Sequence, residues 1–176
     1  MILRKINAWL SLVTTVFLLN HAIIHAVWML AEIGLVKNPS GMAWIMYGLM
    51  MIHAIISIVL AVLGHKGAGK RKCNEYPKMN IPTNIQRMSG VLLILLTALH
   101  IAGTVGILTP PKTVHAILPT IFFTITMAHV SVSVSKAFIT LGIGSAKFIK
   151  VLDIAVKVMC AIILIADIIG FYIYAL

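Results

Sequence analysis

The chain has 176 residues, of which 61% are hydrophobic and only 10% charged, whereas about a quarter of a soluble domain's residues carry charge. That balance excludes a soluble globular fold and predicts a single all-α integral membrane domain. The formal charge of +10 would suggest nucleic acid in a soluble protein. Here its distribution follows membrane topology, so no nucleic-acid partner is expected.

Runs of about 20 apolar residues predict five spans, roughly Ile6–Leu30, Ala43–Leu63, Met88–Leu108, Val114–Val134 and Val151–Tyr174. Stretches this long and continuous are helices rather than the alternating strands of a barrel. The first follows Arg4 and Lys5, as a secretory signal would, but its apolar run is too long and lacks a small-x-small exit. Of fourteen Lys and Arg, only Lys37 and Lys112 fall in the first and third connections. The positive-inside rule then gives a cytoplasmic N-terminus, an outward C-terminus and a cell-membrane, multi-pass location. The long connection 65–86, with Lys66, Lys70-Arg71-Lys72, Pro77 and Pro82, reads as a cytoplasmic loop. Its basic surface suits an acidic partner or anionic lipid.

Along the chain, the first span carries Asn20, His21 and His25 and ends near Glu32. His21 and His25 stand four apart and share a helix face. The second span holds His53 near its centre, and the third runs from Gln86-Arg87-Met88-Ser89-Gly90 to His100. His129 lies in the fourth, followed by Ser131, Ser133 and Ser135. The fifth has no histidine but has Asp153 and Lys157, spaced as a surface ion pair, and Asp167, which has no base one turn away.

An ionisable residue deep in a bilayer is a functional-site hypothesis by default. At about 1.5 Å of rise per residue, His21 and His100 lie roughly 20 Å from the inner surface, and His53 and His129 roughly 10–17 Å. Two pairs at two depths follow, on helices one with three and two with four. Paired imidazoles suit the axial positions of haem iron. No Cys-x-x-Cys-His occurs, so covalent c-type attachment is excluded and b-type haem is left. The same histidines, with some of the ten methionines, would serve a haem-free metal transporter, because soft thioethers suit copper(I).

Phe17-Leu18-Leu19-Asn20-His21, the Gln86–Gly90 motif followed by His100, and the five-span plan together resemble the dihaem cytochrome b anchor of succinate dehydrogenases and fumarate reductases. The resemblance implies an electron-transfer subunit with two b haems, one between His21 and His100 and the other between His53 and His129. Arg87 and Ser89 from the motif, together with His25, are the further cofactor-binding candidates. It also implies a flavoprotein and an iron–sulfur subunit on the cytoplasmic face, with membrane quinone, menaquinone in this reading, as the exchange partner in a respiratory chain. A quinone site needs a protonatable group near the membrane surface, and Glu32 comes first, Asp167 second. The cytochrome b anchor of a formate dehydrogenase or hydrogenase is the rival within the same chemistry.

Overall fold

The computed structural model describes residues 2–30, 41–67, 77–108 and 112–175. They form α1 (Ile2–Leu30), α2 (Gly41–Gly67), α3 (Pro77–Thr104), α4 (Lys112–Leu141) and α5 (Ala146–Ala175), with no strand among the described residues. Each helix contains a segment of 23 to 28 residues long and apolar enough to cross a bilayer, the architecture of a multi-pass membrane protein. Large apolar side chains such as Val16, Met88, Val91 and Tyr172 point outward. In water such a surface would aggregate; in lipid it is the solvated face.

Two boundaries differ from the sequence expectation in ways that matter. Helix α3 begins at Pro77 rather than Met88, so the second half of the expected 65–86 loop is helical. Proline at a helix start loses nothing, because the first N–H groups have no partner there, and Pro82 forfeits a single bond soon after. The helix also stops at Thr104, short of Leu108, where the chain turns through Gly106 at φ +79°. The other helices run a few residues beyond the expected spans, since polar interfacial residues continue a helix that hydropathy alone cuts short.

Helices α1 and α4 are the centre of the bundle. They pack on each other and both pack on α5, while α2 lies against α1 and α3 against α4. Ala8, Ala22 and Ala26 are all buried on α1, and small side chains let membrane helices approach closely. The main core joins Ala22 to Phe122, Phe123 and Met127 of α4 and to Cys160 and Ile163 of α5. Across the α1–α3 and α2–α4 diagonals the backbones scarcely approach, leaving the middle of the four-helix ring to side chains.

The α4–α5 connection is short and well capped. The amide of Ile143 donates to Phe138 O (3.0 Å) and that of Gly142 to Ile139 O (3.1 Å), the two bonds of a Schellman ending. Gly142 has φ +74°, a left-handed conformation that a Cβ disfavours. Ser145 then caps α5, its Oγ accepting from the Phe148 amide at 3.2 Å. Gly142→Ala is expected to cost about 1 kcal/mol, read as a lower denaturation midpoint in detergent micelles with the helical content unchanged.

Candidate functional site

The histidines expected to matter fall into two layers. In the first, His21 of α1 and His100 of α3 line one cleft with Met46 and Met50 of α2 and Phe122 and Met127 of α4. Side chains nearly fill the cleft, leaving a cavity of about 10 Å³. His100 stacks on Phe122, ring centres 5.0 Å apart and planes 17° from parallel, and lies within electrostatic reach of His21. His21 and His100 thus share one cleft, and His21 rather than His25 is the α1 histidine in its lining, although His25 too lies within electrostatic reach of His100.

The second layer lies about two turns along α4, or about 10 Å. There His53 of α2 is close enough to His129 of α4 to influence it electrostatically, the other diagonal pair. Helix α3 fixes the His129 ring. The Ser89 hydroxyl donates to Ile85 O at 2.5 Å, so its oxygen is left to accept from His129 Nδ1 at 2.9 Å. That places the proton on Nδ1 and leaves Nε2 with its lone pair, the form an imidazole needs to bind a metal. The backbone of Gln86 also reaches the ring. A Cβ on Gly90 would come within 3.3 Å of His129 Cε1, so the missing side chain is what lets the ring lie along α3. The buried Nδ1 of His53 has no hydrogen-bond partner among the described residues, while the ring approaches the backbone of Asn7. Asn7 in turn donates to Ser57 Oγ (3.1 Å), joining α1 to α2 beside it.

His25 belongs to a different unit. Its Nδ1 stands 3.4 Å from Oδ1 of Asp167, a carboxylate with no solvent exposure at all. Phe123 stacks on the His25 ring and Phe171 tilts against it, with ring centres 5.5 and 5.3 Å away. The other carboxylate oxygen, Oδ2, is buried without a partner among the described residues. Asp153, by contrast, makes the expected i,i+4 ion pair with Lys157 and also accepts from Ser135 Oγ at 3.0 Å. Arg87 is exposed on α3. Glu32 and Lys70-Arg71-Lys72 lie outside the described residues, as does the side chain of Lys66.

Compared with known protein-family models, curated proteins and solved structures, the chain matches none. The site therefore has to be read from its own chemistry. Sequence reasoning missed the partner of Asp167, although an acid in a span with no base one turn away implies a base on another helix. It also missed Lys136, whose ammonium donates to Thr83 Oγ1 and Gln86 Oε1, both at 3.1 Å. Met46, Met50 and Met127 showed no ladder along the sequence, yet they line the His21/His100 cleft together.

The His25–Asp167 contact predicts coupling between two distant helices. Asp167→Ala and His25→Ala are each expected to destabilise the fold by about 1–3 kcal/mol. The double variant should cost less than their sum by about 0.5 kcal/mol or more, measured by unfolding in micelles.

Proposed function

We propose that the chain is a dihaem cytochrome b membrane anchor of the succinate dehydrogenase and fumarate reductase class, passing electrons between a flavoprotein/iron–sulfur pair and membrane menaquinone. The observation that carries this reading is the placement of His21 and His100 on one cleft and of His53 within electrostatic reach of His129, at two levels of one bundle. The resemblance in α1 and α3 supports the same assignment. Location in the cytoplasmic membrane, basic side inward, follows from the charge distribution.

The residues fit the group. The two imidazoles of each layer would hold a metal whose other ligands come from a macrocycle. Haem, when bound, supplies a one-electron couple between the partner subunits and quinone. Ser89 holds His129 in the metal-binding tautomer, and Gly90 keeps α3 clear of it. Phe122 fixes the plane of His100. The apolar walls of the cleft exclude water and lower the local dielectric. Substrate chemistry belongs to the partners, for the chain has four acidic residues and two cysteines in all, too few for iron–sulfur ligation.

One observation favours a second reading. Three thioethers beside two imidazoles in the first-layer cleft are soft ligands of the kind copper(I) prefers, which suits a haem-free carrier. A reduced-minus-oxidised absorbance spectrum of the purified chain separates the two: b-type bands support the cytochrome, and their absence from a fully folded preparation overturns it. Subunits that co-purify distinguish this anchor from its formate dehydrogenase and hydrogenase counterparts.

The pairing makes a sharper test. His21→Ala and His100→Ala are expected to lose, or convert to high spin, the same spectral component, and His53→Ala and His129→Ala the other. Coupled loss in His53→Ala and His100→Ala would break the two-layer assignment. His25→Ala should shift the first component's potential without removing it.

For quinone exchange the protonatable candidates are Glu32 and Asp167, the second accompanied by His25. Glu32→Gln is expected to abolish quinone-linked turnover with haem content intact. Normal quinone kinetics in that variant would remove Glu32 from the mechanism.

A further inference from the structure

A lysine near the end of a membrane helix ordinarily stretches its stem toward water and leaves its ammonium solvated there. Lys136 does otherwise. Its Nζ turns to the neighbouring helix and donates to Thr83 Oγ1 and Gln86 Oε1, 3.1 Å from each, while its side chain stays half-buried. Both acceptors are neutral, so they orient the ammonium without balancing its charge. The carboxylates among the described residues are engaged elsewhere, Asp153 with Lys157 and Ser135 and Asp167 with His25. The guanidinium of Arg87 is near enough to raise the positive potential further. Two cations gathered at the edge of a low-dielectric bundle, with dipoles already holding one of them in place, are a preformed receptor for a negative group.

The receptor is also joined to the second histidine layer. Lys136 is seven residues, about two turns, beyond His129 and therefore on the same face of α4, about 10 Å away. Gln86 touches both, its side chain meeting Lys136 and its backbone meeting His129. We infer that Lys136, Thr83 and Gln86, with Arg87 beside them, form a subsite for an oxyanion, a carboxylate or phosphate group, at the end of the His53/His129 layer. Two sources carry that chemistry. One is a carboxylate side arm of the macrocycle at His129, which rests on the haem reading above; the other is the phosphate of an anionic phospholipid, which does not. Lys136, half-buried and held by α3, stands closer to the bundle interior than the exposed Arg87, the cationic candidate from the sequence.

The test uses the full chain in nanodiscs of phosphatidylcholine with phosphatidylglycerol, as wild type, Lys136→Met, Lys136→Arg and Gln86→Glu. The last variant places an internal carboxylate on the ammonium and should evict the anion even if Lys136→Met folds poorly. Two quantities are read: the midpoint potential of the component that His129→Ala removes, and phosphatidylglycerol retained in native mass spectrometry. If the anion belongs to the cofactor, Lys136→Met and Gln86→Glu lower that potential, Lys136→Arg restores it, and the other component stays put. If it belongs to a lipid, the potentials are unmoved and the same variants lose retained phosphatidylglycerol, again with rescue by arginine. Unchanged potentials together with unchanged lipid retention would overturn the subsite. A wild-type chain without haem would refute the proposed function and leave the lipid measurement alone to decide this inference.

Discussion

An imidazole inside a bilayer has no water to bind, and the arrangement of this bundle follows from that constraint. His129 is answered by Ser89 and the Gln86 backbone, His25 by Asp167, and His53 in part by the backbone of Asn7. Each answer comes from a different helix, so each polar contact also fixes a helix pair. In membranes, where apolar contact between helices gains little over contact with lipid, such contacts and close packing of small residues set the geometry.

Helices α1, α4 and α5 take most of the close packing, through buried alanines on α1 and the Phe122, Phe123 and Met127 row on α4. That rigid side presents His21 and His129 at fixed heights. Helices α2 and α3 bring the opposing histidines from the looser side, where the ring interior is filled by methionine and aromatic side chains. Close packing on one side thus faces side chains that adapt more readily on the other.

The five spans were plain in the sequence because hydropathy over about 20 residues is a strong signal. Depth alone set His21 beside His100 and His53 beside His129, on helices that run parallel within each pair. What the sequence hid was lateral. Depth and the Phe17–His21 motif both favoured His21 over His25, but the partner of His25, Asp167 on α5, is set by the rotation of α1 and could not be read from the chain. The start of α3 at Pro77 was obscured because proline usually signals a break, and a polar first turn carries no apolar period. Lys136 looked like an ordinary interfacial charge because its partners lie on another helix, more than 45 residues earlier in the chain.

The uneven closure of the ring bears on how the protein is made. Helix α2 leans on α1 and α3 on α4, with little backbone contact across the diagonals, and the four-residue link 142–145 ties α5 to α4 as soon as both are inserted. Helices α1, α4 and α5, each packed on the other two, can therefore consolidate first as a frame, and α2 and α3 need only settle against its two flanks, so a fault in either outer helix leaves the frame standing.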